Sequence, residues 1–313
     1  MEIVKGSIAI MGSGETSPAL VSVHRKFVEM LDNQVKAFLI DTPFGFQENA
    51  DVLVDKLQLF FKKSVQIEIK LASLRNTNNI DSVEYFEMLE QLKSSNFIFS
   101  GPGSPSYASK TWLHSEIPNV LTNHLKDGKH AVFSSAAAST MGEKTIPVYE
   151  IYKVGMNPFW EEGLNILELY GLNCTVVPHF NNKEGGNHDT SCSYIGKNRL
   201  NRLIDKEYTN ILGIDEHTAL VINGEKEIFR IEGIGSVTVK TRNGQTIFEA
   251  GNEYSLSELQ SILQETNKKV LEPKKTSADN IDVNSLKKEI AKLNLEIKNN
   301  NDFTTLFDKT ILE

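Results

Sequence analysis

Lys129–Gly142 reads KHAVFSSAAASTMG, and this stretch decides the fold. Ala131–Phe133 is a short apolar run of strand type and AAASTMG opens a helix, so Ser134 and Ser135 stand where strand becomes helix. Toward the N-terminus the same unit repeats. SIAIM precedes a helical pattern from Ala19 to Leu31, VKAFLI one from Asn49 to Phe61, VQIEIKLA one from Val83 to Leu92, and NFIFS a helix before HAVFS. Strands apolar on both faces, each followed by a helix, predict an α/β fold with a mostly parallel, doubly wound sheet of flavodoxin-like type. Such sheets bind ligands beyond the carboxyl ends of their strands. The polar and glycine-rich segments fall there: GSGETSP after the first strand, DTPFGFQENAD after the second, GPGSPSY after the fourth and the serine pair after the fifth.

Past Gly142 the pattern loosens. TVVPHF reads as another strand, and NNKEGGNHDTSCSYIGKNR after it is too long and polar for an ordinary connector, the kind of loop that is functional or disordered. NILGIDEHTALVI, EIFRIEG, SVTVKTR and TIFEA alternate and turn like short, mostly antiparallel strands that extend or edge the sheet. The composition shifts after Gly251, dividing the chain into a body over 1–252, a helix and linker over 253–282, and a C-terminal helical hairpin over 283–313. Ser255 and Glu258 form a capping box. Val283, Leu286, Ile290, Leu293 and Ile297 make a heptad seam too short for an independent coiled coil, which points to packing on the body or on a second copy as a homo-oligomer.

The 313 residues suffice for one large core with an appendage, and 24% charged with 40% hydrophobic residues is ordinary for a soluble domain. The first twenty residues carry one short apolar stretch, Ile8–Met11, which is neither a signal-peptide core nor a membrane span; a cytoplasmic protein without membrane contact is expected. Two cysteines, Cys174 and Cys192, make neither a disulfide framework nor a C-x-x-C zinc site. A net charge of -8 argues against nucleic acid as a partner, since KKVLEPKK (Lys268–Lys275) is the one modest basic cluster and reads as solvated linker.

Two readings of the serine pair stay open. Both can be small residues capping a helix. Alternatively, Ser135 is a nucleophile on a tight strand-to-helix turn, with Ala137 small two positions on, Phe133 large two positions before, and the following helix N-terminus facing a developing oxyanion. A serine hydroxyl needs a base, and the base an acid to hold its tautomer. His179 follows the strand TVVP and Glu216 follows ILGID, so Ser, His and Glu fall at three strand ends of one sheet, separated by 44 and 37 residues. His188 and Asp189 in the long loop, and His217 beside Glu216, are candidates for substrate contact. With His179 they also supply N and O ligands for a divalent ion, though without metalloenzyme spacing, and no metal or other cofactor is assigned. GSGETSP lacks the last glycine of a dinucleotide fingerprint, Ser17 standing there; Glu15 and Thr16 remain candidate ligand contacts, as does Ser104 of the fourth-strand turn.

Together, FIFSGPGS, the serine of SSAAAS, PHF and GIDEHTALVI resemble the peptidase E and cyanophycinase group, serine hydrolases on the class I glutamine amidotransferase-like fold. More closely, MGSGETSP, DTPFGFQENAD, GPGSPSYA, PVYEIYKVG, EGGNHDT and DEHTA resemble a less characterised bacterial branch of that superfamily. The resemblance runs from Gly6 to Ala250 and leaves out the tail. It implies Ser135 as nucleophile, His179 as base, Glu216 as orienting acid, and oxyanion N–H groups from Ala136 and from Gly101 or Gly103, Pro102 having none to give. Phe133 and Ala137 stand where the group has elbow glycines, and Glu150 is the fallback acid. The implied activity is hydrolysis of an amide or peptide bond in a small polar substrate, with aspartyl peptides the group's preference. The rival reading is an inactive ligand-binding or sensory module that uses the helical tail as its partner interface.

Overall fold

The computed structural model describes residues 4–31 and 34–270, and its central strand fixes the layout. β1 (Ser7–Met11) is wholly buried. Its Ile8 and Ile10 enter one apolar layer and its Ala9 and Met11 the other, which is what a continuous apolar strand between two helical layers must do. After α1 (Val21–Glu29) come β2 (Ala37–Ile40), α2 (Ala50–Phe60), β3 (Ile69–Ala72), α3 (Val83–Ser94) and β4 (Phe97–Ser100). Two helices, α4 (Pro105–Leu113) and α5 (Ile117–Lys126), then lead to β5 (His130–Ser134). Val23 and Phe27 of α1 and Val54 and Leu57 of α2 pack on one face of the sheet. Helices α3 to α5 cover the other, with Leu92, Trp112 and Leu121 fully buried.

From β5 the chain passes through the short α6 (Ala136–Ser139), β6 (Lys144–Thr145) and β7 (Glu161–Glu162) to β8 (Thr175–Val177). α7 (Lys197–Lys206) follows, then β9 (Ile211–Ile214), β10 (Thr218–Asn223), β11 (Ile228–Gly233), β12 (Ser236–Thr241), β13 (Gly244–Glu249), β14 (Glu253–Ser255) and α8 (Leu256–Val270). The large sheet has eight strands in the order β14-β11-β10-β1-β5-β4-β2-β3. β1 to β5 pair in parallel, and β10, β11 and β14 add an antiparallel edge. The α/β class and the mostly parallel sheet are as the sequence predicts.

The later strands correct one expectation. Among the described residues only β10, β11 and β14 extend the large sheet; β13-β12-β9-β8 form a separate four-stranded sheet. NILGIDEHTALVI, continuous as a pattern, breaks at Asp215–His217, and His217 turns there with φ 54°. Its first half pairs with β8 in parallel and its second with β1. TVVPHF likewise stops early, because Pro178 has no N–H to continue the ladder.

The first compact unit runs to Lys269, and α8 seals it with Leu256, Leu259 and Leu263. The capping box forms differently from the expected pattern: Ser255 Oγ accepts from the N–H of Ser257 (3.3 Å) rather than from that of Glu258. The heptad seam, the helical hairpin and most of the basic linker cluster lie outside the described residues. Among the described residues no helix is long and apolar enough to cross a membrane.

Candidate active site

The carboxyl end of β1 organises the site. Met11 C=O accepts the N–H of Ser135 (3.0 Å), Gly12 C=O accepts the N–H of His179 (3.2 Å), and Gly12 N–H donates to Thr218 C=O (2.9 Å). Two consecutive peptide units therefore hold the turn after β5, the turn after β8 and the start of β10 beside Glu216. Gly12 must be glycine, since a Cβ there would lie 2.1 Å from the Asp215 carbonyl oxygen. This role was not read from GSGETSP, although a glycine closing a buried strand is the signal for close backbone approach.

Ser135 has φ 50° and ψ -111°, a conformation that non-glycine residues rarely adopt and that lifts its side chain off the strand line. Its Oγ lies 2.8 Å from His179 Nε2. His179 Nδ1 lies 2.8 Å from Glu216 Oε1, which also accepts from Asn182 Nδ2 at 2.9 Å. Glu216 is held at its backbone too, its N–H donating to Asn181 Oδ1 (2.9 Å). Hydrogen bonding from His179 and then from Asn182 holds the Glu216 carboxyl below the usual range against partial burial, so it stays ionised at neutral pH. The three side chains meet as expected, but not at three strand ends of one sheet. Ser135 follows the large sheet, while His179 and Glu216 follow the adjacent parallel strands of the small one.

The N-cap reading of the serine pair does not hold. Ser135 Oγ makes no cap bond, and Ser134 Oγ donates to Glu15 Oε2 (2.8 Å). Phe133 is no obstacle to the turn: its ring is fully buried in the apolar layer that also holds Ile10, Ile98 and Ala137. Ala137 fits with its N–H bonded to Gly101 C=O (3.2 Å). α6 has only four residues, so the local N–H groups matter rather than a macrodipole. Ala136, first in that helix, has no carbonyl one turn back for its N–H.

The long loop is ordered and folds back over His179. Ser193 N–H reaches His179 C=O (3.4 Å), Cys192 N–H reaches Phe180 C=O (3.1 Å), and Ser193 Oγ donates to Pro178 C=O (2.8 Å). These contacts hold His179 at φ 49° and three successive loop residues, Cys192 to Tyr194, at positive φ. Strain fixed from several sides is typical of functional turns. Tyr194 is thereby set beside the His179 ring, centroids 5.1 Å apart.

A cavity of about 470 Å³ opens at this point, and Ser135, Ala136, Gly103 and His179 line it. Gly103 has φ 145° and lies so close to Pro43 that a Cβ would stand 2.0 Å from its carbonyl oxygen. Gly101 does not line the cavity. Nor do Glu15, Thr16, Ser104, His188, Asp189 or His217. Ser104 caps α4 through Tyr107 N–H (3.2 Å). Asp189 accepts from Ser191 and from Lys197 N–H, bonds that hold its carboxyl below the usual range. His188 stacks on Tyr152, and the His217 ring packs against Gly14. Glu150 accepts from Ser106 Oγ (2.7 Å) rather than from His179. Among the described residues no three His, Cys, Asp or Glu side chains group as metal ligands. Asn181 and Asn182 were missed by sequence reasoning, though an amide pair directly after PHF was the available signal.

Residues 8–229 match the model of Peptidase family S51. A solved peptidase from an acI-B1 Actinobacterium shares this fold with a TM-score of 0.66 at 23% identity, covering 81% of this chain and 98% of its own. A candidate peptidase E from Listeria monocytogenes EGD-e aligns with a TM-score of 0.49 at 16% identity, covering 74% of this chain and 99% of its own. No curated protein matches the chain.

Proposed function

Since the chain belongs to peptidase family S51, we propose that it is a serine peptidase or amidase whose triad is Ser135, His179 and Glu216. The observation that carries the reading is the unbroken chain from Ser135 Oγ to His179 Nε2 (2.8 Å) and from His179 Nδ1 to Glu216 Oε1 (2.8 Å), with the serine on a strained turn. Glu216 accepts a hydrogen bond from His179 Nδ1–H, which fixes the tautomer that leaves Nε2 free to act as base. As Ser135 Oγ attacks the scissile carbonyl carbon, His179 Nε2 takes the hydroxyl proton and the carbonyl π pair moves onto oxygen. Ala136 and Gly103 line the same cavity as Ser135, which supports their N–H groups as the donors to that oxyanion, and removing one such donor typically costs about 10²–10³-fold in rate. Collapse breaks the C–N bond, and the proton on His179 passes to the leaving amine. Water, deprotonated by His179, then releases the acyl group and restores Ser135.

Substrate enters from solvent as a small molecule or a short peptide. The altered elbow positions are accommodated without loss of the turn, and the hydrogen-bond chain from Ser135 through His179 to Glu216 supports the hydrolase reading over the binding-module one. A fluorophosphonate probe tests the proposal. Wild type should be labelled and Ser135→Ala should not; a folded wild type inert to several such probes would sink it.

A further inference from the structure

The walls of the cavity carry information that the triad does not. Three tyrosines line it, Tyr149 and Tyr152 from the turn 149–153 and Tyr194 from the ordered loop, with Val148 beside them. Burial raises the Tyr149 phenol, and burial with the nearby Glu184 and Glu216 charges pushes Tyr194 up to about 12, so both remain neutral at physiological pH. Apart from His179, the charged groups in the lining are Lys153 and Glu184, one of each sign and both exposed. Each has a partner: Lys153 Nζ lies 4.9 Å from the centroid of the Tyr152 ring, and Glu184 accepts from Tyr194 OH (3.4 Å). Among the described residues no arginine lines the cavity. A carboxylate side chain seated here would lose water and gain only a lysine already placed over an aromatic face, with Glu184 opposing it, and an unpaired buried carboxylate is costly. A bulky uncharged side chain would instead meet aromatic faces and bury apolar area. The volume falls within the range that encloses a whole small ligand rather than one short side chain.

We propose that this site selects a bulky uncharged residue, aromatic or large aliphatic, on the acyl side of the scissile bond, and disfavours an acidic one. The proposal rests on the serine-hydrolase reading above and names the substrate class of the same site. Tyr152 is its specificity-determining residue. It stands at the centre of the wall, 5.9 Å from Tyr194 and stacked against His188 at 6.0 Å.

Amino-acid diphenyl phosphonates test it, because they label a serine nucleophile at a rate set by the side chain they carry. Inactivation of the full chain should be at least about tenfold faster with the phenylalanine analogue than with the aspartate analogue. Tyr152→Ala should remove most of that ratio and Tyr152→Phe should keep it, each rate being normalised to the same variant's labelling by a small fluorophosphonate without a side chain. An equal or reversed ratio in an enzyme that the small probe still labels would overturn the specificity and leave the hydrolase standing. Failure of every probe would overturn both.

Discussion

Two carboxylates stand at the rim of this molecule, and they do different things. Asp41, at the carboxyl end of β2, is fully buried and accepts from Ser73 Oγ, Leu74 N–H and Arg75 Nε. Glu216, after β9, is a quarter exposed and accepts from His179 and Asn182. Each accepts several hydrogen bonds at the carboxyl end of a strand. The difference lies one group further on. Arg75 passes from Asp41 to a second carboxylate, Asp51, while Tyr107 OH donates to its backbone carbonyl; every bond there ends on a group with no further chemistry. His179 passes from Glu216 to a hydroxyl that lines a cavity. On the proposed mechanism, a carboxylate at a strand end thus becomes a structural pin or the orienting acid of a triad according to what its donor touches next.

That contrast can be broken in several ways, and the largest effect is expected at the catalytic rim. His179→Ala should lower the fluorophosphonate labelling rate by about 10³–10⁴-fold with little change in the unfolding midpoint, since the ring is a link rather than a core element. An equal loss of stability would mean that the two rims are built alike.

The next effect lies in two buried imidazoles. His24, whose Nε2 bonds the Glu15 carbonyl (2.9 Å), and His124 are buried, and desolvation lowers each to about 4. The unfolded chain takes up protons below the ordinary value of 6.5 and the folded chain does not until about 4. Their contribution is therefore complete above pH 6.5 and lost as pH falls toward 4, together on the order of 5 kcal/mol. Denaturant titrations at several pH values should show that slope; replacing His124 by Gln should flatten part of it. A stability flat from pH 6.5 to 4 would contradict the burial argument.

Asp41→Ala should cost about 3 kcal/mol in urea unfolding, because it strands a partly buried arginine and two further donors. Labelling per folded molecule should be unchanged, which separates the pin from the acid. Smaller still, Gly12→Ala should shift the turns by a fraction of an ångström or more to relieve the clash with Asp215, slowing labelling by about 10²-fold while the chain stays folded. Unaltered labelling would show that Met11–Gly12 does not set the triad's spacing.

The parallel sheet was legible because its strands are apolar on both faces and each is followed by a helical period, a purely local signal. Ser135, His179 and Glu216 were legible as residue types at strand ends. What the sequence hid was partnership between distant segments. NILGIDEHTALVI alternates without a break, yet it serves two sheets, and bonds to distant segments, Gly12 N–H to Thr218 C=O and Asp215 N–H to Ser236 C=O, mark where it divides. His188, Asp189 and His217 looked like ligands because polar loop residues do. Their partners, a tyrosine ring, loop N–H groups and the face of Gly14, come from elsewhere in the chain. The tyrosine wall was invisible for the same reason, since Tyr149, Tyr152 and Tyr194 share no pattern until the loop closes.

The most direct measurement is to label the intact protein with a fluorophosphonate, digest it and locate the adduct by mass spectrometry. A single adduct on Ser135, with Ser134 unmodified and the label abolished in His179→Ala, is the predicted result. An adduct on Ser134 or elsewhere, or one on Ser135 that forms equally fast without His179, would contradict the triad.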